Sequence, residues 1–193
     1  SANLYGETEI PSDRQGSSLT IDNSGEILGI FGGIQAELFG DRTSATILNS
    51  GSIKADAVGI IASTKWQPGA TVDITTSGSI KTGKTAYNTK GIQIHGGSSG
   101  GLLALGRITQ DASGIIHDQG IEGDTAAIHI QDTNVIEINV SGKVRSDRGN
   151  GIYIKEAPGL HQYNSSGNTY YNGGAGTTTI DIDIRANGDR KSV

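Results

Sequence analysis

The 193-residue sequence contains no cysteine and no methionine, and it has only two phenylalanines, one tryptophan and three prolines. Without cysteine, neither a disulfide framework nor a thiolate metal site can form, so packing and hydrogen bonds must supply the stability. Because aromatic residues are so few, aliphatic side chains must fill the interior, and isoleucine is the most frequent of them. This composition differs from that of an ordinary mixed core.

The sequence also lacks the features of several function classes. The net charge is −5 and the charged residues are scattered, whereas nucleic-acid binding needs a basic footprint, so we expect no nucleic-acid partner. No apolar run reaches the ~18 residues of a membrane span, so we expect no membrane insertion. The four histidines lack the paired spacing of a zinc site, and "GKT" at 83–85 lacks the upstream glycine of a phosphate loop. We therefore expect no metal and no cofactor.

A phrase built around a Ser-Gly pair recurs along the chain, as in "NSGEILGIFGGI", "NSGSIKADAVGI", "TSGSIKTGKTAYNTKGI" and "VSGKVRSDRGNGI". We number each copy from its glycine as position zero. Isoleucine then occupies position −4 and isoleucine or valine occupies position +2. The zeros are Gly25, Gly51, Gly78 and Gly142, the −4 residues are Ile21, Ile47, Ile74 and Ile138, and the +2 residues are Ile27, Ile53, Ile80 and Val144. A second phrase, such as "GIIA" at 59 or "GIYI" at 151, follows each zero before the next copy begins.

The alternation of apolar and polar residues in these phrases is typical of strands with one buried face. Each repeat holds three such strands and is too short for a domain, which is typical of a solenoid. We therefore predict an all-β parallel β-helix of five to six coils, with isoleucines stacked in columns at the ~4.8 Å strand spacing. We expect the glycine at zero to adopt a positive φ at a sharp bend.

Weaker copies extend the repeat towards the C-terminus. Gly114 has Gln110 at −4 and Ile108 at −6, and Gly188 has Arg190 at +2. We therefore predict an N-terminal edge or capping segment over residues 1–18, a β-helix over 19–188, and a C-terminal edge over 189–193. Insertions are predicted near 63–70, 95–106 and 155–179.

The repeats, and in particular "ITTSGSIKT" followed by "GIQI" and "INVSGKVRS" followed by "GIYI", resemble the passenger regions of Gram-negative autotransporters and related surface adhesins. The resemblance covers residues 19–188. It implies a right-handed β-helix, export by way of the periplasm, and secretion or display at the cell surface. β-Helical passengers include adhesins, self-associating proteins, toxins and stalks for enzymes, so the resemblance alone leaves the activity open.

Outward positions of the predicted coils form columns along the surface. The column at +3 contains Leu28, Lys54, Lys81, His117 and Arg145. Stacked cations ~5 Å apart repel one another unless water, salt or an anionic ligand compensates them. This column is therefore a candidate binding site for an acidic glycan or lipopolysaccharide, the alternative being an ordinary solvated face.

A second column, in the middle of the Gly-Ile phrases, contains Gln35, Ile61, Gln93, His129 and Tyr153. Amides and aromatic rings bind sugars well, but they are also common on β-surfaces.

Two predicted insertions add aromatic candidates. The segment 155–179 carries Tyr163, Tyr170 and Tyr171 among Gly, Ser and Asn, and a shorter loop carries Trp66 beside a Pro-Gly turn. Long loops on a rigid scaffold are common binding elements. A tolerated insertion and a tryptophan clamped over a coil are the alternatives.

A catalytic alternative rests on carboxylates. Asp181 and Asp183 share one strand face in "IDIDI", and Glu137 and Asp73 are predicted at the same offset as Asp183. Two carboxyls at suitable separation could act as acid and nucleophile on a glycosidic bond. Alternating acidic residues are also common on solvated strands, and the chain lacks the other phrases of β-helical pectinases.

The sequence therefore favours a secreted or cell-surface β-helix that acts in adhesion or self-association through its lateral face and loops, without catalysis. The expected partner is a host or bacterial surface glycan or protein, or a second copy of the chain. The alternatives are a polysaccharide lyase or glycoside hydrolase of β-helix type and a passive stalk that presents another domain.

Overall fold

The computed structural model describes residues 16–39, 42–65, 69–84, 86–96, 103–155, 162–163, 170–171 and 179–184. All regular secondary structure in these ranges is β-strand, and the strands of the coils follow one another in sets of three. The first three coils are β1 (Ser18–Asn23), β2 (Glu26–Gly29) and β3 (Gly32–Phe39); β4 (Ser44–Asn49), β5 (Ser52–Ala55) and β6 (Val58–Lys65); β7 (Thr71–Thr76), β8 (Ser79–Thr82) and β9 (Lys90–His95). The next two are β10 (Leu103–Gln110), β11 (Ile115–Asp118) and β12 (Ala126–Gln131); β13 (Thr133–Val140), β14 (Lys143–Ser146) and β15 (Asn150–Lys155).

Corresponding strands of successive coils pair in parallel and form three sheets. Sheet A has the order β1-β4-β7-β10-β13-β18, where β18 (Thr179–Ile184) begins a sixth coil. Sheet B has the order β2-β5-β8-β11-β14, and sheet C has the order β3-β6-β9-β12-β15. The fold is a right-handed parallel β-helix with three short strands per coil, which confirms the predicted fold class.

Isoleucine columns fill the interior. On sheet A, Ile47 pairs with Ile74, Ile74 with Ile108, and Ile108 with Ile138, and all four side chains are completely buried. β-Branched side chains fit this pleated interior, and full burial of each isoleucine contributes roughly 1.5–3 kcal/mol. The in-register column on which the solenoid prediction depended is therefore present. Sheet B has a parallel column at +2, made of Ile27, Ile53, Ile80, Ile116 and Val144.

The register corrects the prediction for the two weaker copies. Ile108, assigned to −6, pairs with Ile74 and so occupies the −4 column, while Gln110 pairs with Thr76 one pleat further along. The turn after β10 is longer by two residues, so counting back from Gly114 places every residue two positions too early. The same shift applies to β18, where Ile182 rather than Ile184 pairs with Ile138. Arg190 lies outside the described residues.

The expectation of positive φ at the zero glycines was wrong. The positive-φ glycines among the described residues are Gly69 and Gly123, neither of which is a zero. A Cβ on Gly78 would instead overlap the carbonyl oxygen of Gly51 and lie 2.8 Å from the carbonyl carbon of Ser50. Glycine is needed at zero because the turns of successive coils stack backbone against backbone.

A buried polar ladder runs beside these turns. Asn23 Nδ2 donates to Asn49 Oδ1 at 2.8 Å, and Asn49 Nδ2 donates to Thr76 Oγ1 at 3.0 Å. All three side chains are buried at the ends of β1, β4 and β7. The ladder satisfies polar groups inside the coil and fixes the register of the first three coils.

The strand ends locate the connections between coils. Strand β6 continues to Lys65, and β10 begins at Leu103. Within the long connection after β15, β16 (Gln162–Tyr163) and β17 (Tyr170–Tyr171) pair in antiparallel fashion. The connections between β8 and β9 and between β11 and β12 are also longer than the corresponding connections of the other coils. The sequence analysis did not predict insertions at these two places.

Candidate functional site

The outward +3 residues of sheet B stack in register, as the sequence predicted. Leu28 pairs with Lys54, Lys54 with Lys81, Lys81 with His117, and His117 with Arg145. We call Lys54, Lys81, His117 and Arg145 the cationic stripe. It extends over four successive coils, so neighbouring members are separated by about one strand spacing, ~4.8 Å.

Carboxylates beside the stripe compensate part of its charge. Lys54 Nζ lies 2.6 Å from Glu26 Oε1, and Asp147 Oδ1 accepts bonds from His117 Nε2 at 2.9 Å and from Arg145 at 2.8 Å. The hydrogen bond from His117 is the largest contribution that lowers the pKa of Asp147. These exposed and half-exposed pairs contribute little to stability, but they relieve the predicted like-charge repulsion without a ligand.

Lys81 is the exception in the stripe. Its side chain is exposed and has no ion-pair partner among the residues that the structure describes. It lines an open groove of ≈ 500 Å³ at the carboxyl ends of β2, β5 and β8, together with Lys54 and Lys84. Asp56 also lines the groove, so the charged lining comprises three cations and one anion.

A buried carboxylate holds the wall of the groove that carries Lys84. Asp118, at the end of β11, is 0% exposed. Its Oδ1 accepts hydrogen bonds from Thr82 Oγ1 at 2.9 Å and from the Thr89 hydroxyl, and its Oδ2 accepts one from Ser146 Oγ at 2.6 Å. Because Thr82 and Thr89 lie at the two ends of the β8–β9 segment, Asp118 closes that segment and positions Lys84 at the groove.

The neighbouring β11–β12 segment stacks on the β8–β9 segment through its backbone. Asn88 N donates to Glu122 O at 3.1 Å, Ile121 N donates to Ala86 O at 3.2 Å, and Asp124 N donates to Asn88 Oδ1 at 2.8 Å. Asn88 itself has a positive φ of 53°. The two segments therefore continue the coil-on-coil pairing beyond the strands.

The second predicted column, on sheet C, is also in register, from Gln35 through Ile61, Gln93 and His129 to Tyr153. It is not an open sugar-binding stripe, because His129 is only 2% exposed and the other members are half-buried. The ring of His129 packs on Tyr153 with centroids 5.0 Å apart. Neither ring nitrogen of His129 has a hydrogen-bond partner among the described residues.

Burial lowers the pKa values of His129 and of Lys90 beside it. Desolvation lowers the pKa of His129 to about 4, although Asp124 opposes this shift. The 3.9 Å approach of His129 Nδ1 to Asp124 Oδ2 is therefore a contact of a neutral ring at neutral pH. Burial also lowers the pKa of Lys90, whose Nζ lies 3.6 Å from Asp124 Oδ2 and donates to Asn88 O at 3.2 Å. Lys90 thus joins the two loop segments to sheet C.

The residues of the catalytic alternative pair along sheet A in a different register from the one predicted. Glu137 pairs with Asp181, and Asp183 pairs with Asn139, so Asp183 does not share the row of Glu137 and Asp73. The two-residue shift at β18 described above is the cause.

Arg107 lies between the carboxylates of that row. Its Nε donates to Glu137 Oε2 at 2.6 Å and its Nη1 to Asp73 Oδ2 at 3.2 Å, and these two bonds raise the pKa of Arg107. The arrangement is a charge-neutralising ladder rather than a free carboxylate pair.

The aromatic candidates are placed only in part. The backbones of Tyr163 and Tyr170 pair across the short hairpin of β16 and β17, and Tyr171 pairs with Gln162. Trp66 lies outside the described residues.

The described residues contain no group of three or more His, Asp or Glu side chains arranged to hold a metal ion. The same ranges contain no apolar helix of membrane-spanning length. In comparisons with known proteins, no family model, curated protein or solved structure matches the chain.

Proposed function

We propose that this chain acts in adhesion, as a secreted or cell-surface β-helix that binds an acidic surface glycan along sheet B. The observation that carries the proposal is the in-register cationic stripe, whose second member, Lys81, has no ion-pair partner in the described part of the chain and lies beside a groove that Lys54 and Lys84 also line. Neighbouring members of the stripe are about one strand spacing apart, ~4.8 Å, so an anionic polymer lying along the axis of the coils can contact several of them at once.

The electrostatics favour a polymeric anion over a small one. Each exposed cation gives only about 0.2–1 kcal/mol with one anionic partner, and salt screens that attraction. A polymer that contacts several coils at once adds these small contributions after a single loss of translational freedom. The chain as a whole carries a net charge of −5, so no overall positive charge attracts the polymer, and the attraction of the cationic stripe decays within about one Debye length, ~8 Å at physiological salt.

Export and display on a Gram-negative cell form part of the same proposal. They are supported by the resemblance of the Ser-Gly and Gly-Ile repeats to autotransporter passengers. A rigid solenoid with lateral binding faces suits a protein that must hold a ligand away from the cell. A surface protein or a second copy of the chain is the other partner that this role allows.

The proposal is tested by titrating the chain with polygalacturonate at increasing salt, by isothermal titration calorimetry. We expect affinity that falls with salt and that the double variant Lys54→Glu plus Lys81→Glu abolishes. Lys81→Glu alone is compared with Lys155→Glu, which makes the same charge change on sheet C and should bind as the wild type does. Unchanged binding by the double variant would remove the cationic stripe as the site.

A further inference from the structure

The groove beside Lys81 is lined by residues of successive coils, and the chemical character of its lining changes from one coil to the next. The first coil contributes Leu28 and Ile30, the second contributes Lys54, and the third contributes Lys81 and Lys84. Lys54 is already paired with Glu26, and Asp56 of the second coil is the anion of the lining, so the positive charge of the groove lies in the third coil, on Lys81 and Lys84. One end of the groove is therefore apolar and the other cationic.

The apolar end is unusually exposed. Leu28 is 70% exposed, Ile30 is 74% exposed, and the adjacent Phe31 is 84% exposed. Five large apolar side chains are exposed among the described residues, and three of them lie at this one corner of the first coil. Single exposed apolar residues need no explanation, but a cluster next to a charged groove is typical of a binding surface.

We propose that this groove binds an anionic amphiphile, with a phosphate group on Lys81 and Lys84 and an alkyl chain along Leu28 and Ile30. The proposal goes beyond the function proposed above, and the two sites share Lys81. Lysine is a common phosphate binder that acts as a compact point charge. An alkyl chain laid on Leu28 and Ile30 would remove their apolar surface from water. The axial order of the residues then sets the orientation, with the tail towards the first coil.

The test titrates the whole chain with dodecyl phosphate below its micelle concentration. Dodecyl maltoside has the same tail without the charge, and glucose 6-phosphate has a phosphate on a soluble sugar. We expect dodecyl phosphate to bind at least about tenfold more tightly than either, since each end supplies part of the affinity. Equal binding of dodecyl maltoside, or of glucose 6-phosphate, would overturn the amphiphile assignment.

Variants separate the two ends of the groove. Leu28→Ser with Ile30→Ser should weaken dodecyl phosphate binding about tenfold and leave polygalacturonate binding unchanged. Leu48→Ser, which changes an exposed leucine on sheet A, is the matched control and should alter neither. Lys81→Gln with Lys84→Gln should weaken the binding of both polygalacturonate and dodecyl phosphate. Lys143→Gln, in the fifth coil, should leave dodecyl phosphate binding unchanged.

The outcomes distinguish the two proposals. In one outcome, the Lys81 variant loses polygalacturonate binding while Leu28→Ser with Ile30→Ser leaves dodecyl phosphate binding unchanged. That result would support the glycan function and overturn the amphiphile site. Failure of polygalacturonate to bind, with dodecyl phosphate sensitive to both pairs of variants, would do the opposite. Retention on phosphatidylglycerol vesicles but not on phosphatidylcholine vesicles, lost in Leu28→Ser with Ile30→Ser, would identify a lipid as the source of the phosphate.

Discussion

A single methyl group at position 78 should destabilise this fold, whereas the same methyl group at position 25 should not. The Cβ of Gly78→Ala would overlap the carbonyl oxygen of Gly51, which is backbone and cannot swing aside. Relief requires the second and third coils to separate, which stretches the bonds from Gly78 N to Asn49 O (3.0 Å) and from Ser79 N to Gly51 O (2.9 Å).

The cost follows from these contacts. Two weakened backbone hydrogen bonds amount to about 2 kcal/mol, and local overpacking adds about 1–3 kcal/mol. The lower entropy of the unfolded alanine chain returns about 0.4–1 kcal/mol. We therefore expect Gly78→Ala to lower the free energy of unfolding by about 2–4.5 kcal/mol.

Gly25→Ala is the matched control, because a Cβ at Gly25 meets no atom within 4 Å. It occupies the same position in the repeat and makes the same change in the unfolded chain, so its effect should stay within about 0.5 kcal/mol or be slightly stabilising. Urea unfolding followed by far-UV circular dichroism measures both, with equal m-values as the check that the same structure unfolds. Equal stability of the two variants would refute the backbone-stacking explanation of the repeated glycine.

Three further predictions concern buried polar groups. Because the folded pKa of His129 is lowered from 6.5 to about 4, the unfolded chain takes up the proton first, and stability should fall by about 3 kcal/mol as the pH drops from 6.5 to 4; His129→Phe should flatten this dependence in urea unfolding at several pH values. Asp118→Ala leaves three hydroxyl donors without their acceptor, so stability should fall by about 2–4 kcal/mol and amide exchange at Asn88, whose N–H donates to Glu122 O, should accelerate, while exchange at Ile47 changes less. Asn49→Ala breaks both bonds of the asparagine ladder and should cost about 2–3 kcal/mol by the same urea assay, whereas Asp22→Ala, exposed on the same sheet, should be nearly neutral.

The fold could be predicted because its rule is local and repeated. Alternation decides which face of each strand is buried, and a copy of the phrase in every coil decides which isoleucines meet. Ile47, Ile74 and Ile138 therefore fell into one column from their offsets alone. The predicted register was wrong where a turn changes length. The turn between β10 and Gly114 is two residues longer than its counterparts, so positions counted back from Gly114 are shifted by two residues.

The sequence predicted the stripe but not its compensation. Register along the axis follows from the repeat, so Lys54, Lys81, His117 and Arg145 could be aligned in advance. Contacts between different surface columns depend on side-chain rotamers and on the shapes of the turns, which the repeat does not encode. Glu26 and Asp147 stand outside the +3 column, and only the folded coils show that they reach into it.

The groove depends on the same difference between repeated and unrepeated parts of the chain. The regular coils supply Leu28, Lys54 and Lys81 in a line, while the longer β8–β9 segment supplies Lys84. That segment is held by Asp118, a carboxylate that no motif marks and whose partners Thr82 and Thr89 belong to another coil. A β-helix can therefore keep its scaffold fixed by the repeat and change its ligand by changing the turns. Substitutions in the β8–β9 segment that spare Asp118 and its partners should therefore change which anion binds and have little effect on the stability of the fold.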